Sequence, residues 1–331
     1  MHRFLIATLA ALALGTAGDA SAQTKIKIGS GLVPVHIAPI IFSDARLAPN
    51  MGKTYDVEFV TARGSAPQMT AMAAGELHLV GFSVAAFAAG IQNGGLDLVG
   101  IADLMQDGPD FSSVYAVLDS SNIKTVADLK GKVVGINARG GTQDMTVRAM
   151  LKKAGLDPER DVQISEIGFN AEAALRDGKV ATSSFSSGPW ATATKHGGVR
   201  PLFYERDAGG DKQFLFYGAR RDFAAKNHAA LVAMFTDYLH GWHWLKNPAN
   251  RAETLKLVAA VTKQPAESFA DWVFLKGKDF HRDPKGRLNV KAMQSNLNEL
   301  KAFGVIKESF DVTTRIDGSV MEEAAAKAGV K

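Results

Sequence analysis

Short strands alternate with helices along two separate stretches of this chain. Residues 25–29 (KIKIG) and 56–62 (DVEFVTA) have strand character in the first stretch, as do residues 133–136 (VVGI) and 162–167 in the second. Connections of only a few residues between such elements predict a largely parallel sheet with helices on its faces. The length of 331 residues exceeds what one hydrophobic core usually organises. The sequence therefore predicts an α/β protein with two lobes.

Two further runs have extended character and stand apart from these sets. Residues 113–118 (SVYAVL) lie between the two sets, and residues 212–218 (KQFLFYG) follow the second. Both contain aromatic and β-branched residues that favour strands, so we expect strands that cross between the lobes. From Phe223 onwards the apolar spacing is mostly helical and carries no chemical motif. That part of the chain is predicted to serve packing.

The first 22 residues have the three parts of a secretory signal peptide. His2 and Arg3 form a basic start, residues 4–14 are apolar apart from one threonine, and residues 20–22 (ASA) have the small side chains of a cleavage site. The apolar part is shorter than the roughly 20 residues that a membrane-spanning helix needs. We therefore expect a signal peptide over residues 1–22, cleavage before Gln23 and export to the periplasm.

Composition excludes several classes of site. The chain has no cysteine, which excludes disulfides, thiolate zinc sites, iron–sulfur clusters and cysteine nucleophiles. Its net charge of +4 is a mild excess that slightly favours anionic small molecules. Nucleic-acid binding would require clustered Lys and Arg, so no nucleic-acid partner is predicted.

Five predicted strand-to-helix junctions carry small residues, glycines or hydroxyls. Ligands of open parallel sheets collect beyond the carboxyl ends of the strands, where helix N-termini offer unpaired N–H groups and partial positive charge. A Ser or Thr before a helix is also an ordinary cap, so one junction alone decides nothing. Five junctions divided between two lobes favour two half-sites that face one cleft. They are residues 31–34 (GLVP), 64–67 (GSAP), 82–84 (FSV), 140–143 (GGTQ) and 186–190 (SSGPW).

The remaining motifs in the sequence concern metal binding and catalysis. His240 and His243 share one helical face and offer a possible metal pair, but the neighbouring Trp242 and Trp244 favour packing. The glycines before Thr142 are not followed by the lysine of a phosphate-binding loop, and no nucleophile elbow or metalloprotease motif occurs. The sequence therefore predicts no metal site, no cofactor and no enzymatic activity.

Three segments resemble a known family. They are residues 25–29 (KIKIG), residues 73–77 (AAGEL) and residues 126–135 (VADLKGKVVG). In these segments and in the order of its elements, the chain resembles periplasmic solute-binding proteins of ABC importers. The most similar group is the nitrate-, sulfonate- and taurine-binding type, together with relatives that bind thiamine precursors.

The resemblance implies a fold and a partner. That family has a two-lobed periplasmic-binding-protein fold (type II-like), with the ligand cleft between lobes joined by two crossing strands. Residues 23–112 plus 212–331 would form lobe 1, and residues 113–211 would form lobe 2. The expected partners are a small organic anion and an ABC permease at the inner membrane. The protein is expected to act as a monomer.

The resemblance also suggests which residues meet the ligand. By position, the family's ligand-facing turns fall on the five junctions. His36 follows the first junction, although an ordinary loop histidine is an alternative interpretation. Phe82, Val84, Ala85 and Trp190 would accommodate an apolar part of the ligand. The expected ligand residues are Leu32, Val33, His36, Ser65, Ala66, Ser83, Arg139, Gly140, Gly141, Thr142, Ser187, Gly188 and Trp190.

Arg63 and Arg139 each lie beside a junction and have the geometry to bind a carboxylate or sulfonate with two hydrogen bonds. A solvated surface arginine is the alternative for both. The expected ligand is thus a sulfonate or carboxylate, aromatic ligands included, captured by closure of the lobes and delivered to the permease. Two alternatives stay open: a periplasmic adaptor that presents its ligand to a receptor, and a protein that binds thiamine-pyrimidine precursors. Relatives that synthesise the pyrimidine use an iron-binding cysteine cluster, and this chain has no cysteine.

Overall fold

A computed structural model describes residues 23–61, 65–108, 110–139, 141–168 and 170–330. The predicted signal peptide, Arg63 and Gly140 lie outside the described residues, and so do the side chains of Ser65 and Ala66. Within the described ranges, no helix combines the length and the apolar character needed to cross a bilayer.

The described residues contain ten strands, and every strand belongs to one of two sheets. Strands β1–β4 and β10 form the first sheet, and β5–β9 form the second. The strands are β1 (Thr24–Ser30), β2 (Tyr55–Thr61), β3 (Leu79–Phe82), β4 (Leu98–Asp107), β5 (Val114–Leu118), β6 (Val133–Ile136), β7 (Gln163–Glu166), β8 (Thr182–Phe185), β9 (Val199–Tyr204) and β10 (Lys212–Arg220).

Helices connect the parallel strands and form most of the C-terminal part. They are α1 (Ala38–Ile41), α2 (Ser65–Ala73), α3 (Val84–Gln92), α4 (Thr142–Lys153), α5 (Ala171–Arg176), α6 (Ser187–His196), α7 (Arg206–Gly209), α8 (Arg221–Lys226), α9 (His228–Lys246), α10 (Arg251–Thr262), α11 (Val290–Ala302) and α12 (Ser319–Lys327). Short 3₁₀ helices cover Val126–Leu129, Pro248–Asn250, Ala266–Ser268 and Val312–Arg315. Between α10 and α11 lies an irregular segment, residues 263–289, which we call the arm.

Each sheet has four strands in one direction and one strand opposed. In the first sheet the order is β2-β1-β3-β10-β4, and β10 runs against both of its neighbours. In the second sheet the order is β7-β6-β8-β5-β9, and β5 is the opposed strand. The two runs predicted as crossing strands are therefore β5 and β10. Each is the opposed strand of its sheet and is the first strand that the chain forms on entering that sheet from the other one.

One strand was not expected from the sequence. β9 contains Pro201, which removes a backbone donor and argues against a central strand. The strand lies at the edge of the second sheet, where it pairs with β5. A proline is tolerated at that position because an edge strand leaves one side of its backbone without a ladder.

The chain passes between the sheets twice, from β4 to β5 and from β9 to β10. A buried apolar cluster continues across this junction, with Ile26 from the first sheet, Phe185 from the second and Trp272 from the arm among its members. The arm therefore joins the two sheets through packing, in addition to the two covalent crossings.

Candidate functional site

The carboxyl ends of the strands in both sheets lie beside the crossings. In the first sheet, Asp107 at the end of β4 pairs with Lys212 at the start of β10. In the second, Val114 at the start of β5 pairs with Phe185 at the end of β8. Since β1–β4 run in one direction and β6–β9 run in one direction, each sheet directs its carboxyl edge toward the crossings. The five predicted junctions all follow strands at these two edges.

The turn after β1 carries the first group of expected ligand residues. Leu32 is 45% exposed, an unusual position for a large apolar side chain, and Val33 is half-buried. The backbone of Leu32 accepts a hydrogen bond from the amide of His36 at 3.0 Å, which closes the turn. Of these three residues, Leu32 is the one most open to a ligand.

His36 is buried instead of facing solvent, with 5% of its surface exposed. A Cβ on Gly31 would lie 2.6 Å from its Nε2, and a Cβ on Gly81 would lie 2.8 Å from its Cε1. Two glycines thus leave the space that the ring fills. Burial, with the charge of Arg282, lowers the pKa of His36 to about 4, so the ring is neutral at pH 7.

The β3–α3 junction is a capped helix start. The Ser83 hydroxyl accepts a hydrogen bond from the amide of Ala86 at 3.2 Å, as an N-cap does. Phe82 and Val84 are buried in the core, and the Phe82 ring packs 5.9 Å from that of Phe87. We expected these two side chains to line the ligand. Both instead fill the space between the first sheet and α3, so neither has surface open to a ligand. Ala85 is half-buried.

The β6–α4 junction is more open. Gly141 is the N-cap of α4 in extended conformation, and Thr142, the first helical residue, is half-buried. Arg139 is exposed, but its Nη2 donates to the carbonyl of Ile164 on β7 at 2.8 Å. Gln143 belongs to the same predicted junction but is not among the expected ligand residues. Its Oε1 accepts from the amide of Asn137 at 3.1 Å, which ties the loop to the helix.

The β8–α6 junction is covered by the arm. Ser187 is 1% exposed, and its hydroxyl donates to Asp279 Oδ1 at 2.9 Å. A Cβ on Gly188 would lie 2.7 Å from Cζ2 of Trp272. Trp190 is half-buried and its ring lies 5.9 Å from that of Phe185, edge to face. Ser187 and Gly188 are thus covered by groups of the arm, while Trp190 keeps part of its surface accessible.

No sequence pattern pointed to the residues that cover this junction. Asp279 also accepts from the backbone amides of Phe274 at 2.9 Å and Phe280 at 2.8 Å, and it forms an ion pair with Arg282 at 3.5 Å. Arg282 donates in turn to the carbonyl of Val35, in the turn after β1, at 3.2 Å. Asp279 and Arg282 lie in residues 276–287 (KGKDFHRDPKGR), a run of mixed charges typical of a solvated loop, so the sequence did not predict the pair.

A second buried acidic group lies at the crossings themselves. We call Asp107, Ser113, Glu205 and Lys212 the crossing cluster. The amide and hydroxyl of Ser113 donate to Asp107 Oδ2 at 2.7 and 2.5 Å. Neither oxygen of Glu205, which is fully buried, has a hydrogen-bond partner among the described residues.

Electrostatics at the crossing cluster favour a protonated acid. Burial raises the pKa of Glu205 well above its ordinary value, the charge of Asp107 raises it further, and the charge of Lys212 offsets part of this increase. The hydroxyl of Thr146 lies near enough to lower that pKa, although outside hydrogen-bond geometry. Burial also raises the pKa of Asp107. The sequence did not predict this cluster because its two halves, residues 107–113 and 205–212, are far apart along the chain.

The remaining candidates lie away from these edges. His240 is exposed, and Nε2 of His243 lies 2.8 Å from the carbonyl oxygen of Pro284. Across the described ranges, no group of three or more His, Cys, Asp or Glu side chains is placed to hold a metal ion. Two surface depressions, one between α4 and Phe303 and one beside His78 and Phe223, have none of the expected ligand residues in their described linings.

Comparison with known proteins gives the family and the fold. A family model described as the NMT1-like family matches residues 19–259. An Escherichia coli (strain K12) protein named as an aliphatic sulfonates-binding protein is 29% identical over 163 residues, 49% of this chain and 49% of that protein. The match therefore spans about half the length of this curated relative.

Solved structures share the fold at low identity. The periplasmic aliphatic sulphonate binding protein SsuA from Escherichia coli is 21% identical, with 89% of this chain and 92% of that chain covered and a TM-score of 0.71. The periplasmic nitrate-binding protein NrtA from Synechocystis PCC 6803 is 17% identical, with 94% and 90% covered and a TM-score of 0.74. The desulfurization enzyme DSZB, with biphenyl-2-sulfinic acid bound, is 12% identical, with 92% and 99% covered and a TM-score of 0.67.

These findings confirm the predicted resemblance and the predicted two-lobed α/β fold of periplasmic binding proteins. The fold alone does not separate binding from catalysis, since an enzyme shares it. The family match covers well over half of the sequence. The chain belongs to the NMT1-like family.

Proposed function

We propose that this protein is the extracytoplasmic substrate-binding subunit of an ABC importer and captures a small organic anion between two lobes. Lobe 1 would comprise residues 23–112 and 212–331, and lobe 2 residues 113–211. One observation carries the proposal: the two carboxyl edges, with the N-termini of α3 and α4, are both directed toward the crossings. Helix N-termini at such an edge favour an anion.

The open part of the proposed site combines a polar and an apolar element. Thr142 and the α4 N-terminus would bind the anionic head, while Leu32 and Trp190 would contact an apolar body. A sulfonate fits this combination, and the relatives named above as binding sulfonates support it. A carboxylate is the closest chemical alternative. Nitrate has no apolar part and would leave the exposed Leu32 without a role.

Capture requires that the ligand favour one arrangement of the lobes. A ligand that contacts both lobes only in the closed arrangement binds that arrangement more tightly than the open one. This difference in affinity shifts the population toward the closed arrangement. The closed pair of lobes would then bind the permease. We propose export to the periplasm by the N-terminal signal and action as a monomer.

Binding without catalysis is part of the proposal. The enzyme that shares this fold leaves catalysis open in principle, but the relative that matches over about half its length and two of the structures above are named as binding proteins. The sequence also has no cysteine nucleophile. Incubation with an alkanesulfonate should therefore return the compound unchanged, as judged by NMR of the recovered ligand.

A thermal-shift screen tests the proposal. The mature protein is unfolded and refolded to remove carried ligand, then heated with alkyl and aryl sulfonates, carboxylates, nitrate and thiamine precursors. A ligand at 100 times its dissociation constant should add about 2.7 kcal/mol to the stability. A shift confined to sulfonates or carboxylates is expected. A response to thiamine precursors alone, or to no anion, would overturn the proposed ligand class.

A further inference from the structure

The arm connects two turns that belong to different sheets. It is anchored on the first sheet, where the amide of His281 donates to the carbonyl of Gln106 and the amide of Asp283 donates to Asp103. From there it reaches α6 beside the second sheet, where Lys195 forms an ion pair with Asp271 at 2.6 Å. The arm is thus fixed at one end and in contact with the other lobe at the opposite end.

A continuous line of polar contacts runs through the arm. The Ser187 hydroxyl, at the start of α6, donates to Asp279; Asp279 is paired with Arg282; and Arg282 donates to the carbonyl of Val35. We call these four residues the Asp279 link. One end lies in the turn after β8 and the other in the turn after β1, and both turns were predicted to face the ligand.

The link is built to hold a fixed geometry. Both charged side chains are about 3% exposed, and both oxygens of Asp279 accept hydrogen bonds. Arg282 also donates to the carbonyl of Phe280 and lies over the ring of Trp242, although its Nε has no partner among the residues described. A buried ion pair contributes little net stability but is strongly directional. Here the ion pair would orient the groups that it joins and add little to the net stability.

We propose that Asp279 and Arg282 are positioning residues that favour one separation of the two ligand-facing turns, one on each sheet, and so influence which arrangement of the lobes is populated. Neither side chain touches the ligand. They act through Ser187 at one end and Val35 at the other, and the arm is a third connection between the lobes. The inference rests on the proposed function for its ligand readout, but its geometric part can be tested without any ligand.

A double-mutant cycle on ligand affinity tests the link. Ser187→Ala cuts one end, and Arg282→Lys cuts the other while keeping the charge, so the variants should fold. If both act through one link, the second cut should change the dissociation constant little once the first is made. We expect the two effects to deviate from additivity by about threefold or more. Additive effects would overturn the inference, since Ser187 would then act on the ligand independently.

Interlobe distance provides the ligand-free readout. The chain has no cysteine, so Lys226→Cys and Lys124→Cys place fluorophores at two exposed sites, one beside each sheet. Adding Asp279→Asn should shift or broaden the distance distribution. The control is Asp237→Asn, since Asp237 is equally buried and accepts from Asn50 and Tyr55 away from both turns. It should lower stability without changing the distance.

The outcomes separate the two proposals. A protein that binds no anion, yet changes its interlobe distance with Asp279→Asn alone, would contradict the proposed function and support the link. A protein that binds an anion, with equal distances in both variants and additive affinities, would support the function and overturn the link.

Discussion

The Asp279 link and the crossing cluster both bury acidic side chains at the junction of the lobes, and they treat the charge differently. Both oxygens of Asp279 receive hydrogen bonds, and a guanidinium lies beside them. Glu205 is buried as deeply but has no hydrogen-bond partner within the described part of the chain. A buried charge needs partners to be stable, whereas an acid without partners keeps its proton. The link can therefore hold a geometry, while burial at the crossing cluster favours the protonated form of Glu205.

The largest expected effect comes from breaking the link on its basic side. Arg282→Met leaves the Asp279 carboxylate buried without its counter-charge, and we expect a loss of about 3–5 kcal/mol in the free energy of unfolding. Urea denaturation at pH 7 measures it. Arg282→Lys is the milder comparison. A loss under 1 kcal/mol for Arg282→Met would show that the pair is not as buried or as tightly bonded as described.

His36, beside Arg282, makes the same region sensitive to acid. Its folded pKa of about 4 lies below the ordinary 6.5, so between these values the unfolded chain binds the proton and the folded chain does not. Stability should fall as pH drops from 6.5 to 4, by about 3 kcal/mol for this group.

The comparison of wild type with His36→Gln isolates that contribution. Urea unfolding at several pH values should give a shallower fall for the variant. Exposed His240, changed to Gln, serves as the control and should leave the wild-type profile unchanged. Equal slopes for wild type and His36→Gln would contradict the buried, neutral ring.

Replacing each buried acid by its amide should change the free energy of unfolding in opposite directions in the two regions. Glu205→Gln removes a group whose raised pKa makes the folded state lose stability as pH rises above the ordinary range of a glutamate. We expect the variant to be more stable than the wild type at pH 8, by an amount that shrinks toward pH 4. Asp279→Asn should instead lose stability at both pH values. Losses of equal size from both variants would erase the distinction between the two regions.

The smallest effect concerns ligand binding at the open junction. Thr142→Val removes a hydroxyl at the start of α4 and should weaken anion binding by about 1–2 kcal/mol, a 5- to 30-fold increase in Kd. Calorimetric titration with an alkanesulfonate measures it, and Thr262→Val is the control, since among the described residues the Thr262 hydroxyl bonds only the carbonyl of Val258 within α10. Unchanged affinity would remove Thr142 from the site.

Sequence patterns predicted the parts of the molecule that depend on local order. The alternation of strands and helices and the two opposed strands β5 and β10 follow from composition and spacing within short windows. β9 was not predicted because it contains Pro201. A proline is tolerated in an edge strand, but which strand lies at an edge depends on the arrangement of the whole sheet. The junction at Ser83 was predicted as a possible cap, and the structure places its hydroxyl on the amide of Ala86.

The buried polar groups could not be predicted in the same way. Asp279 meets Ser187 across 92 residues of sequence, and Arg282 meets Val35 across 247. Glu205 and Asp107 come together because two crossings run side by side. Each of these side chains resembles a surface charge in its local sequence. Their burial is a property of how the arm and the crossings pack, which no local pattern encodes.

Small-angle X-ray scattering with and without an alkanesulfonate tests the central claim most directly. In the proposed mechanism, one small anion binds between the two carboxyl edges and brings the lobes together. This mechanism predicts a decrease in the radius of gyration that saturates at one ligand per chain and is weaker for Thr142→Val at subsaturating ligand. Saturable binding with an unchanged radius of gyration would contradict capture by lobe closure.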